Sequence, residues 1–212
     1  MKNKILFIIL TISTTLLHAT KHSHIDQNEI RYFKASPLDL TIQQQLREGE
    51  VWQAFLTNNP NWFVMFDENN KMPHRAFGEP IQLNGGSNPD VLDFLSTSSF
   101  VLPTDLRFDK RSKNEKYKNF DFNQFYNNLE VISSRVYAKL SLDNRLIAFG
   151  LDVYNDINID VNPLVDKNLA ITASQQNVNQ PITDVSVQDE LMILPIPKNG
   201  KYFYHLVYVI KF

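Results

Sequence analysis

The chain's apolar positions change period several times, and each change marks an element. From Leu38 the pattern is helical: Ile42, Leu46, Val51, Trp52, Phe55 and Leu56 recur at helix-face spacing. Ser36-Pro37 offers a cap and a first-turn proline, and Asn58-Asn59-Pro60 ends the run. Gly49 inside the pattern predicts either a kink or two short helices. Trp62 to Asp67 is then a compact aromatic and β-branched run. A polar Glu68-Asn69-Asn70-Lys71 turn separates it from Arg75-Ala76-Phe77, which predicts a β-hairpin. Asn84-Gly85-Gly86-Ser87 reads as a loop, and Asn88-Pro89 opens a short helix whose apolar residues are Val91, Leu92, Phe94 and Leu95. Lys110 to Lys118 is charged and non-periodic, which predicts an exposed linker between two halves.

Beyond it, strict alternation sets in. Val136, Ala138, Leu140 and Leu142 alternate with Tyr137, Lys139, Ser141 and Asp143. Asp143-Asn144 marks a turn, and Leu146 to Tyr154 runs back as a second strand. Ile157, Ile159 and Val161 continue the alternation. Asn162-Pro163 is positioned to start a helix with Val165, Leu169, Ala170 and Ala173 on one face. Leu191 to Ile196, a Pro197-Lys198-Asn199-Gly200 turn and Tyr202 to Phe212 form a closing hairpin. Antiparallel hairpins with interposed helices predict an α+β fold and not a parallel nucleotide-binding sheet.

The first residues follow a different logic. Lys2 and Lys4 precede a 13-residue apolar run from Ile5 to Leu17, and Leu17-His18-Ala19 supplies small or neutral residues for cleavage. That order predicts a secretory signal peptide over residues 1–19, with an uncleaved anchor as the alternative, and places the product in the periplasm or the medium. Residues 20–37 are polar and aperiodic and read as a mobile leader. The divisions that follow are a helix-hairpin region over 38–109 and an α+β unit over 119–212.

Composition removes several function classes. The chain has 212 residues, 43% of them hydrophobic, with 15 Phe and 8 Tyr, enough for a real core. Its formal charge of −2, or −4 once Lys2 and Lys4 leave, gives no electrostatic case for nucleic acid or an anionic membrane surface, and no stretch reads as a polybasic patch. No cysteine is present, so an exported domain must rely on burial without disulfides, and thiolate chemistry is excluded.

Candidate chemistry is sparse. The histidines are His18, His22, His24, His74 and His205, and none is followed by glutamate, so the helical zinc-peptidase motif is absent. His22-Ser23-His24 reads as a solvated tail before it reads as a metal site. Asp152, Asp156 and Asp160 lack the spacing of a calcium loop and read as the wet edge of strands. No serine sits in a Gly-x-Ser-x-Gly elbow, and Gly85-Gly86-Ser87 lacks the lysine of a phosphate loop. Trp52, Phe55, Trp62 and Phe66 form either a ligand-binding patch or, as the plainer reading, a helix packed on a hairpin. No catalytic residue, cofactor or metal site is expected. Gln124, Tyr126 and Asn128 alternate in a predicted strand. A buried Gln124 amide would tie the sheet to a helix, or these residues would touch a partner.

Two longer segments carry a resemblance. Trp52-Gln53-Ala54-Phe55, Asn61 to Asp67 and Pro73 to Ile81 resemble the start of propeptides on bacterial fungalysin/thermolysin-type zinc metallopeptidases. Phe122-Asn123-Gln124-Phe125-Tyr126-Asn127-Asn128-Leu129-Glu130-Val131 and Ser134 to Tyr154 resemble the core of that family's propeptide domain. Pro163 to Ala173 matches its proline-started helix, and His205-Leu206-Val207-Tyr208 its following hairpin. The resemblance spans Trp52 to Phe212. It implies propeptide-like (cystatin-like) halves and a non-catalytic domain that helps a thermolysin/fungalysin-like catalytic domain fold and keeps it silent. In that family a further strand, a processing junction and the catalytic domain would follow Phe212. The alternative is a free-standing exported binding or structural module with no peptidase partner.

Overall fold

Three short helices lie on one face of a twisted antiparallel sheet in the computed structural model, which describes residues 38–176, 186–187 and 191–211. The signal peptide, the leader and His22-Ser23-His24 lie outside the described residues. Helix α1 (Leu40–Glu48) is capped by Asp39, whose side chain accepts from the amides of Thr41 and Ile42. The cap is thus Asp39, and Ser36-Pro37 lies outside the described residues. The chain breaks at Gly49, whose extended backbone caps α2 (Glu50–Asn58), so two short helices replace a kink. Trp52 and Phe55 point α2 into the core, three residues apart. In α1 Gln43 is buried, Leu46 packs partly buried on the core as expected, and Ile42 is exposed, so the inner face is turned by one position from the expected one.

The first hairpin forms as its pattern predicts. Strand β1 (Trp62–Phe66) pairs with β2 (Pro73–Gln82). The third helix, α3 (Asn88–Thr97), begins with a capping box between Ser87 and Asp90. Val91 and Leu95 bury its inner face.

Lys110 to Lys118 is not a linker. Strand β3 (Leu106–Lys113) and β4 (Tyr117–Tyr126) pair through this segment. β3 is the sheet edge with only β4 beside it, so its charges stay in solvent and no apolar alternation is needed. β4 continues to β5 (Leu129–Glu130), then β6 (Arg135–Ser141) and β7 (Arg145–Asp152). The order β1-β2-β7-β6-β4-β3 joins the segments 38–109 and 119–212 in one sheet. The fold is α+β and dominated by this antiparallel sheet.

The main core lies between helices and sheet. Trp52 and Phe55 stack with centroids 4.9 Å apart. Phe149 meets Phe55, Trp62 and Phe100 at 5.5 to 5.7 Å. Val136, Ala138, Leu140 and Leu146 complete it. Leu142 falls outside the alternation because the β6–β7 turn begins at Ser141, and it is exposed.

A smaller unit follows. Ile157 and Ile159 are half-buried between exposed neighbours, as alternation predicts, yet residues 153–166 form no strand. Their side chains pack on Val131, Tyr154 and Ile193, and that packing uses the pattern without a ladder. Helix α4 (Lys167–Gln175) starts at Asp166, whose carboxylate accepts from the Leu169 amide, and not at Asn162-Pro163. Ala170 and Ser174 face inward, whereas Leu169 is exposed. The closing hairpin is β9 (Met192–Lys198) and β10 (Lys201–Val207), with Asn199 and Gly200 both at positive φ as a two-residue turn requires. The backbone pair β8 (Ser186–Val187) and β11 (Ile210–Lys211) lies beyond it. No helix among the described residues is long and apolar enough to cross a membrane.

Candidate functional site

Strand alternation that sends Trp62, Val64, Ala76, Phe149, Val136 and Phe120 into the core sends their neighbours to the opposite face of the sheet. Cross-strand register fixes who meets whom there. One row runs Phe63, Phe77, Ala148, Lys139, Asn119 and Ser112 across β1, β2, β7, β6, β4 and β3. In the row beside it, Met65 faces Arg75, and Tyr137 lies between Gly150 and Asp121.

Phe63 and Phe77 stand out. They are 66% and 56% exposed and stack on each other with centroids 5.8 Å apart. An exposed aromatic pair at the edge of an open face is a surface that gains from being covered. Next to it, Gly150 has no side chain for a physical reason. A Cβ there would lie 2.1 Å from the Tyr137 ring and 2.4 Å from the His74 carbonyl oxygen. The Tyr137 ring therefore folds over β7 toward β2. Burial raises the pKa of its phenol, and the Arg75 guanidinium acts against that shift.

Two ion pairs border this patch. His74 Nδ1 lies 2.6 Å from Asp152 Oδ1 and couples β2 to the end of β7. That hydrogen bond raises the His74 pKa; burial opposes it and the Asp152 charge adds to it. Arg135 Nε donates to the buried carboxylate of Asp121 at 2.5 Å. The dyad and the phenol lie at the sheet surface, with the apolar pair and Met65 on the neighbouring strands. Such an arrangement sets rings, an apolar side chain and charges side by side at one surface. Among the described residues, no group of three or more His, Asp or Glu side chains is placed to hold a metal.

The sequence-derived candidates fall elsewhere. Gln124 is 3% exposed, and its Nε2 donates to the Tyr154 carbonyl at 2.5 Å while the Tyr154 amide donates to its Oε1 at 2.8 Å. It ties β4 to the segment after β7, not to a helix. Tyr126 packs against the cluster of Val131, Tyr154 and Ile193. Asn128 is not in a strand: it sits at positive φ in the β4–β5 turn and accepts from Arg107 at 2.8 Å. Trp52, Phe55, Trp62 and Phe66 are core. Asp152, Asp156 and Asp160 are dispersed, bonding His74, Tyr204 and the Asn162 turn respectively.

Phe63, Phe77 and Tyr137 escaped the reading of the sequence because exposed aromatics in strands look like core. Their signal was the odd parity: each is one position out of phase with its strand's buried residues.

Neither known protein families nor curated proteins match this chain. Among solved structures, the Bacillus megaterium YpeB C-terminal domain is similar over 81% of this chain and 85% of that one, at 16% identity and a TM-score of 0.35. A likeness at that level carries no argument.

Proposed function

We propose that the chain is an exported, non-catalytic propeptide-like domain that binds a thermolysin/fungalysin-like catalytic domain through the open sheet face, chaperoning its folding or holding it inactive. The exposed Phe63–Phe77 stack, flanked by Met65 and Arg75, is the observation that carries this reading. Two aromatic rings held rigidly on paired strands lose little freedom on docking, so covering them returns most of their burial energy. The segments that resemble metallopeptidase propeptides, Asn61 to Asp67 and Pro73 to Ile81, are the two strands that present the pair.

The test is a titration of the purified chain, beginning near Thr20, against the thermolysin-like catalytic domain encoded nearest to it. Complex formation and residual proteolysis are followed together. Saturable binding with slowed proteolysis or improved peptidase refolding is expected. Replacing Phe63 and Phe77 together by serine is expected to weaken it by about tenfold or more. A folded chain that does not bind would leave a free-standing exported module as the better account. Binding that survives the double replacement unchanged would move the interface off this face.

A further inference from the structure

The net charge of −2 conceals an uneven distribution of lysines along the strands. Register places the β3–β4 turn and the β6–β7 turn at one end of the sheet: Lys113 faces Lys118, and Tyr117 faces Ser141. The other end carries the closing hairpin and the carboxylates Asp67, Asp152 and Asp156, with Lys71, Arg75 and Arg135 among them. Toward the first end lie Lys110, Arg111, Lys113, Lys116, Lys118 and Lys139, against Asp109, which pairs with Lys110 at 3.7 Å, Glu115 and Asp121 in the same hairpin, and Asp143, paired with Arg145, in the β6–β7 turn.

Several of these cations are held by neutral partners. Lys118 Nζ donates to the side-chain oxygen of Asn144, Lys139 lies 3.9 Å over the Tyr117 ring, and Arg111 lies 5.0 Å over Phe120. Rings and an amide fix the side chains without cancelling their charge. Leu142, 45% exposed, projects from the β6–β7 turn at the same end.

We infer that this end of the sheet docks on an anionic lipid surface, with the lysines meeting headgroups and Leu142 entering the interface. The inference does not rest on the peptidase reading: it uses the turn end of the sheet, which meets the open face at Lys139. Five of the six cations are lysines, compact point charges on flexible stems, which suit a diffuse array of headgroups. They also occupy both faces of the sheet: Lys139 shares its face with Phe63 and Phe77, whereas Arg111 stands over the core-facing Phe120. A planar array met end-on reaches both faces at once, whereas a polynucleotide backbone would be tracked along one. A cluster of this size supports reversible docking that weakens as salt rises.

The experiment uses the mature chain and vesicles of phosphatidylcholine alone or mixed equally with phosphatidylglycerol, read by co-sedimentation at low and high salt. Binding only to the anionic vesicles, lost at high salt, is expected. Lys113→Glu with Lys116→Glu, both exposed, is expected to weaken binding by about tenfold or more. Lys201→Glu with Lys211→Glu, an equal charge change in the C-terminal unit, leaves it largely intact. Leu142→Ser weakens it without altering charge. Circular dichroism confirms that each variant is folded. Equal recovery with both vesicle types, or equal losses from the two charge-reversed pairs, would overturn the inference. So would capture of a DNA duplex without vesicle binding, or no binding at all; the last would reduce the lysines to guards against edge pairing.

Discussion

Two glutamines, far apart in the chain, do the same job. Gln43 Nε2 donates to the Phe66 carbonyl at 2.9 Å, and the Phe66 amide donates to its Oε1 at 3.0 Å. Gln124 treats Tyr154 identically. A side-chain amide has the donor and acceptor of a peptide group, so each substitutes for a strand neighbour where a strand ends. His74 works by charge instead, and its consequence is a pH dependence. Its raised pKa means that the folded state holds the proton more tightly than the unfolded chain does. The resulting stability is fully present below the unfolded histidine value of about 6.5 and is lost as pH rises through the folded value. The pair is partly exposed, so the change is small. Urea midpoints measured on either side of that window should fall with rising pH in the parent chain. His74→Gln should flatten the slope; an unchanged slope would detach the effect from this pair.

At the scale of elements, the chain is a seven-stranded sheet unit joined to a smaller hairpin unit by a few specific ties. Val131 bridges to Ile193, the Ile132 amide donates to the Ile193 carbonyl at 2.8 Å, and Tyr202 donates to Asp67 at 2.7 Å. Gln124 holds Tyr154 at this joint, against Tyr202 and Tyr204. Gln124→Ala should therefore cost about 1–3 kcal/mol, since it strands buried backbone groups of Tyr154. Hydrogen exchange should quicken in β9 and β10 well before it quickens in β6 and β7. Uniform quickening would mean that the two units open together. The hairpins were legible because Val136 to Leu140 and Trp62 to Phe66 alternate against a one-sided core. The edge strand β3 was not, because a strand with little buried surface leaves no apolar period to read. Nor was the start of α4: Asn162-Pro163 and Asp166 carry equally good capping chemistry, and tertiary packing of Ala170 and Ser174 chose the later one. Of the candidate site, the sequence supplied only the strands that bear Phe63 and Phe77; Gln124 lies outside it, as a buried tie to Tyr154. The outward face depended on pairing partners that no local pattern records.

Across the whole molecule, the decisive asymmetry is between the two faces of one sheet. The inner face meets α2 and the segment after α3 through Phe149, which touches Phe55, Trp62 and Phe100 at once. The outer face carries aromatics of similar size that touch chiefly each other. If folding is driven by burial on one side, equal chemistry removed from the two faces must cost unequally. Phe149→Ala, fully buried among rings, should lose about 3–5 kcal/mol of stability. Phe77→Ser should lose about 0.2–1 kcal/mol, the worth of a cross-strand aromatic pair, because its ring is already largely in water. Urea unfolding of both variants beside the parent measures the contrast directly. A Phe77→Ser cost approaching that of Phe149→Ala would mean that the outer face is covered in the folded chain, and the docking surface proposed there would fall with it. The expected inequality leaves the exposed pair without a stabilising role large enough to explain it, which is the ground for proposing that two rings held in solvent serve to recognise a partner.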